Sequence, residues 1–184
     1  MTRSIYHLEP MVIQSGPLRI VGAEDLFVQR PGGGQIGADG KTQTGDLYKR
    51  LNEIRNPVNP CVSLGIQRVG PSSKGLVAHD QFYHMAAYEV ERFEDIPHGM
   101  VGKVVPPSKY LVYSCESAVD EATGQPSGSL DWEALFPKVF FDPDALYPKQ
   151  GVKDRGWYIE ISHYADNKAP GFPLTKFEIR IAIE

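Results

Sequence analysis

The sequence predicts an α+β fold in which strands, one helix and strands are followed by the same order again, so that an internally duplicated chain is expected. Two observations carry this. Runs of β-branched and aromatic residues with period-two alternation are bounded by glycine and proline, the punctuation of strands. Two stretches, 44–54 and 129–140, switch to the 3.6-residue spacing of helices.

In chain order, Met11-Val12-Ile13, Leu18 to Gly22 and Leu26-Phe27-Val28 are strand-like, and the glycine-rich stretch Pro31 to Gly40 is expected as a loop. Thr44 is a suitable N-cap for a helix carrying Leu47, Tyr48, Leu51 and Ile54 on one face, ended by Asn56-Pro57. Cys61 to Ile66 and Phe82 to Val90 read as strands that pair as a hairpin, with Gly70 to Lys74 supplying turn chemistry. Gly102 to Val105 leads through two prolines into the strand Tyr110 to Cys115. Ser129 is placed to cap a second helix, where Trp132, Leu135, Phe136, Val139 and Phe140 form a wide apolar face. Pro137 lies inside it and predicts a kink or a break. Trp157 to Tyr164 and Phe177 to Ile183 alternate as strands joined by a Pro/Gly loop.

Composition bounds the function. With 184 residues and 41% hydrophobic content, one domain is the simpler reading. A formal net charge of −4, with charges scattered along the chain, offers no basic stripe, so no direct nucleic-acid partner is expected. Cys61 and Cys115 show no metal-binding spacing, no charged-then-apolar leader opens the chain, and no apolar run approaches a membrane span. A cytoplasmic, soluble protein with reduced thiols is expected.

Most chemical motifs fail on spacing. Gly40-Lys41-Thr42 resembles the end of a phosphate-binding loop, but the glycine required five positions earlier is Gln35. His7, His79, His84, His98 and His163 show neither HxH nor HExxH spacing, so no metal and no cofactor are expected. Ser108 and Ser114 sit in no nucleophile elbow. In the strand from Trp157 to Tyr164, alternation sets Trp157, Ile159 and Ile161 on a core face and Tyr158, Glu160 and Ser162 on the other. The pattern alone assigns that second face to solvent, because antiparallel sheets commonly keep one side wet.

Three segments carry a family resemblance: Phe82-Tyr83-His84-Met85-Ala86-Ala87-Tyr88-Glu89-Val90, then Ile96-Pro97-His98-Gly99-Met100, then Val105-Pro106-Pro107-Ser108-Lys109-Tyr110-Leu111-Val112-Tyr113. Their order resembles that of the gyrase-inhibitor-like effector-binding domains, found in AraC-type and drug-sensing transcription regulators and as stand-alone proteins. Tyr158 to Ile161 and the closing strand extend the likeness. Two features depart from the family pattern: Ser108 and Lys109 stand where members often carry glycine, and the helical segment around Phe136-Pro137 is irregular.

The resemblance implies two strand-helix-strand-strand units, about 8–92 and 100–184, related by a pseudo-twofold axis. Both helices would lie on one side of the antiparallel sheet, with a ligand groove between the units. Its central acid matches Glu160, which would face a hydrophobic or cationic organic ligand, a flat lipophilic cation satisfying both a desolvated carboxylate and aromatic faces. Tyr158 shares that face, and Tyr110, Trp132, Phe136 and Tyr147 are candidate walls, although helical spacing alone makes Trp132 and Phe136 core. Sensing or sequestration follows, with any regulation passing through a partner protein, since residues 1–40 supply no pair of DNA-reading helices. Two alternatives stay open: a hydrolase of electrophilic small molecules with Glu160 as base or nucleophile, and an inhibitor of a topoisomerase acting through protein contact.

Overall fold

The computed structural model describes residues 4–30, 35–69, 81–119, 121–124, 130–142, 144–165 and 173–184. Nine strands form one antiparallel sheet: β1 Ser4–Ser15, β2 Leu18–Gln29, β3 Gln35–Gly37, β4 Val62–Val69, β5 Gln81–Glu89, β6 Val101–Val105, β7 Ser108–Ser117, β8 Asp154–Tyr164 and β9 Leu174–Ile183. Their order is β1-β7-β9-β8-β4-β5-β2-β3, with β6 added against β2. Helical structure is sparse: α1 Thr44–Lys49 runs on into a 3-10 turn at Arg50–Glu53, a π-helical turn covers Pro137–Phe141, and α2 spans Leu146–Lys149. No helix among the described residues is long and apolar enough to cross a membrane.

The α+β class is the one the sequence predicts, and β4 and β5 pair as the expected hairpin, Gln67 opposite His84. Three expectations need correction. Residues 18–22 and 26–28 belong to one unbroken strand, β2, because Ala23, Glu24 and Asp25 continue the ladder against Ala86, Met85 and His84. The stretch expected as a loop from Pro31 to Gly40 contains β3, whose Gln35, Ile36 and Gly37 pair with Gln29, Val28 and Phe27. The first helix is capped one residue earlier than Thr44: the Gln43 N–H donates to Asp46 Oδ2 at 3.0 Å, so the acid of the first turn closes the helix start. The expected cap Ser129 and the turn Gly70 to Lys74 lie outside the described residues.

Pro137 has the effect its chemistry demands. It sits at the first position of its helical turn, where the missing N–H would have no partner. The turn is wide, with the Asp142 N–H donating to the Pro137 carbonyl at 2.8 Å, so the apolar face of 132–140 is delivered by a short, opened helix.

Both faces of the sheet are covered with apolar side chains. On one face, α1 and its 3-10 turn lay Leu47, Leu51 and Ile54 over Val21, Phe27, Phe82 and Ala86. On the same face, Leu135, Val139, Phe140 and Tyr147 lie over Tyr113, Tyr158, Phe177, Ile179 and Ile181. The opposite face carries Leu64, Ile66, Met85, Ile159 and Ile161 in a third cluster that also includes Ile20 and Tyr110. The two helical walls thus stand over different strands, and the central pair β4 and β8 runs between them.

Candidate functional site

The seam between the walls is a groove of about 780 Å³, the size of sites for drug-like molecules. Its floor follows from register. Gly65 of β4 lies opposite Glu160 of β8, and two residues along the strands Gln67 lies opposite both Tyr158 and His84. Residues directly opposite one another in a sheet share a face, so Glu160, Gln67, Tyr158 and His84 rise together into the groove, with Gly65 on the same face. Trp132, Phe136 and Phe177 line one side, with Phe141 at its mouth, and Tyr48, Thr44 and Lys49 line the other.

Glu160 is 7% exposed. This corrects the solvent assignment made from strand alternation: the face was right, but the walls close over it. Gln67 Nε2 donates to Glu160 Oε1 at 2.7 Å, and the Tyr158 hydroxyl donates to the same carboxyl group. Burial raises the Glu160 pKa to about 7, outweighing the two hydrogen bonds that pull it down. No salt bridge reaches Glu160 among the described residues.

A second buried glutamate shows what a satisfied one looks like. Glu178 projects from β9 on the other face, with Lys176 Nζ at 2.8 Å and an Arg180 guanidinium nitrogen at 2.6 Å. Burial pushes its carboxyl up, but His163, Lys176 and Arg180 prevail and hold it well below the ordinary carboxylate range. The two carboxyls are similarly buried, and among the described residues Glu160 has no cation beside it.

A glycine makes the arrangement possible. A Cβ at Gly65 would come within 2.3 Å of the Tyr48 hydroxyl and 3.0 Å of Glu160 Oε2. The bare backbone there lets the tyrosine of α1 and the carboxyl of β8 meet over β4. Tyr48 also faces the Glu160 charge, and burial followed by that charge raises its own pKa well above the ordinary value.

The aromatic side is continuous. Trp132 lies 5.1 Å from Phe177 and 5.9 Å from Phe136, Phe136 lies 5.7 Å from Phe177, and Phe140 reaches the Tyr158 ring at 5.5 Å. Trp132, Phe136, Tyr158 and Glu160 are therefore brought together in one groove. Tyr110 and Tyr147 are not. Tyr110 points to the opposite face, edge-on to Trp157 at 5.6 Å, because it is one residue out of phase with Leu111 and Tyr113. Tyr147 packs beneath the second wall, and its hydroxyl donates to Asp154 Oδ2 at 3.0 Å.

Sequence reasoning missed Gln67, His84 and Phe177 as groove residues and Gly65 as the bare position beside Glu160, and treated Tyr48 only as part of a helical apolar face. The one available signal was polar residues inside apolar strands. Gln67 and His84 become meaningful only once β4 is known to lie between β5 and β8. Among the described residues no three of His, Cys, Asp and Glu gather as a metal site.

Comparison with known proteins bears on the family and the fold. A family model, Cass2, described as integron-associated effector binding protein, matches residues 36–183. Among solved structures, SAV2435 bound to tetraphenylphosphonium is similar with a TM-score of 0.56 at 16% identity, over 96% of this chain and 94% of that one. The integron cassette protein VCH_CASS2 from the mobile metagenome of Vibrio cholerae gives a TM-score of 0.55 at 11% identity, over 98% and 99%. The C-terminal domain of EcmrR gives 0.50 at 7% identity, over 100% and 98%. At these identities the likeness is one of fold. Among curated protein sequences nothing matches this chain.

Proposed function

The chain belongs to the family of integron-associated effector-binding proteins, and from that premise we propose that it senses or sequesters a bulky aromatic cation in the groove between its helical walls, with Glu160 as counter-charge. The observation that carries this is the contrast between the two buried glutamates. Glu178 has its cations built in; Glu160 has hydrogen bonds, aromatic neighbours and a raised pKa, and among the described residues no positive charge beside it. A ligand cation with aromatic faces supplies that charge and meets Trp132, Phe136 and Phe177 through ring contacts. The similarity to a structure holding tetraphenylphosphonium supports the same chemistry.

The test is calorimetric titration with tetraphenylphosphonium and with a neutral tetraaryl analogue of equal size, against the wild type and Glu160→Gln. The cation should lose at least about tenfold in affinity on losing a charge-assisted contact, and the neutral analogue should lose little. Equal losses for both ligands would reject charge recognition.

A second reading has its own observation. A carboxyl with a pKa of about 7, held by Gln67 and Tyr158, suits a general base for opening a strained electrophile such as an aryl epoxide. Turnover of such a probe that survives Glu160→Gln would remove this reading.

The strand order also supports reading 8–92 and 100–184 as pseudo-repeats, since β2-β5-β4 and β7-β9-β8 approach the central seam in the same sequence from opposite sides. Superposition of those two triplets should carry the α1 wall onto the Pro137 wall. Placement of the two walls on opposite faces after superposition would count against duplication.

A further inference from the structure

His84 stands on the groove floor with neither ring nitrogen hydrogen-bonded among the described residues, although the residue is only 2% exposed. Its neighbours explain why. On one side the Phe27 ring meets it edge-on at 6.0 Å, and from α1 the Tyr48 ring leans over it at 5.8 Å. Gln67, opposite it on β4, commits its amide to Glu160, and Asp25, opposite it on β2, accepts from the Leu26 N–H. Buried polar groups are rarely left without partners, and an orphan in a concave site calls for an explanation. Other polar groups of that face have partners: Gln67, Tyr158 and Glu160 one another, and Ser63 the Tyr164 hydroxyl at 3.1 Å.

We propose that His84 is a second recognition point of the groove, a neutral imidazole that hydrogen-bonds a hydroxyl or amide on the ligand while Glu160 meets its cationic centre. This deepens the reading above and rests on it: the ligand class narrows from aromatic cations to aromatic cations bearing a hydrogen-bonding substituent. The spacing is set by the sheet. His84 lies on β5 and Glu160 on β8, with β4 between, and His84 is in register with Tyr158, two residues from Glu160, so the two backbones are about 12 Å apart, two strand spacings across and two residues along. A cation seated against Glu160 with a para-substituted aryl arm turned towards His84 bridges that gap. The groove reaches the imidazole beside Tyr48, a partly exposed residue on a helix of only six residues. Burial drives the His84 pKa down to about 4, so the ring offers one N–H donor and one lone pair at neutral pH, which a phenolic hydroxyl can meet from either side.

The experiment compares three ligands of one shape by calorimetry: tetraphenylphosphonium, its mono-4-hydroxy derivative, and the neutral 4-(triphenylmethyl)phenol. They are measured on the wild type, His84→Leu and Glu160→Gln. The wild type should bind the hydroxylated cation about tenfold tighter than the plain one, the scale of one satisfied buried hydrogen bond. His84→Leu should erase that preference by bringing the affinities for the two cations together, whereas Glu160→Gln should weaken both cations alike. His84→Leu should also melt no lower than the wild type, because it removes an unpaired polar group. Equal wild-type affinity for the two cations, a preference that persists in His84→Leu, or a marked fall in its melting temperature would overturn the second recognition point. Equal binding of the hydroxylated cation and the neutral phenol would instead overturn the charge reading, with the effect of His84→Leu on the phenol still deciding for or against the imidazole.

Discussion

Replacing Glu160 with glutamine should stabilise the free protein in a strongly pH-dependent way. The Glu160 carboxyl has an ordinary value of 4.5 in the unfolded chain and about 7 in the folded one. Because the folded value is raised, the folded state holds the proton more tightly, and stability is lost as pH rises from 4.5 to 7. At about 1.4 kcal/mol for each tenfold change in proton affinity, ionised Glu160 costs the fold about 3 kcal/mol above pH 7. Glutamine keeps an acceptor for the Gln67 amide and carries no charge, so it escapes this cost. Urea unfolding of both proteins from pH 4 to 9 should give a stability difference that is flat below pH 4.5, widens in favour of Glu160→Gln up to pH 7, and then levels off. Near pH 8 it corresponds to a rise in melting temperature of about 10 °C for a chain of this size. A difference that does not change with pH, or one that favours the wild type above pH 7, would refute the claim that the carboxyl is buried without a counter-charge.

Gly65→Ala places a methyl group where the Tyr48 hydroxyl stands, so Tyr48 must leave its position over β4. Denaturant unfolding should show a loss of about 1–3 kcal/mol for overpacking, together with weaker cation binding; unchanged values for both would show the groove to be looser than its distances imply. Trp132→Leu keeps an apolar residue beside Phe177 but removes an aromatic face, and calorimetry should show a loss of cation affinity of about 0.5–2 kcal/mol with a smaller loss for a neutral ligand. Equal affinity for the cation in this variant would remove Trp132 from the site.

Local chemistry made the strands legible. Period-two alternation in 157–164 and β-branched residues in 110–115 act over a few residues, and the structure keeps both as β8 and β7. Alternation also separated Glu160 from Ile159 and Ile161. It could not show that Glu160's face is covered, because the cover comes from Tyr48 and Phe136, which are over a hundred and about two dozen positions away in the chain. β3 was hidden by its surroundings: Gly37 and Gly40 give turn signals, whereas the ladder that makes Gln35–Gly37 a strand belongs to β2. Tyr110 and Tyr147 were drawn in by residue type, since aromatic side chains suit a groove wall. Which face Tyr110 takes depends on its phase in β7 relative to β9, a long-range register that composition does not encode. His84 and Gln67 were legible only as polar residues in apolar strands, and pairing across β5, β4 and β8 gave them their place.

The central claim, that the ligand's positive charge is met by Glu160, has a direct readout in proton release. A carboxyl with a pKa of about 7 is mostly protonated at pH 6 and must ionise to pair with a cation. Calorimetric titration of the wild type with tetraphenylphosphonium in buffers of different ionisation enthalpy should therefore show about one proton released per cation at pH 6, falling towards none at pH 8, and none at either pH for Glu160→Gln. Binding without proton release at pH 6, or release that persists in the glutamine variant, would contradict it.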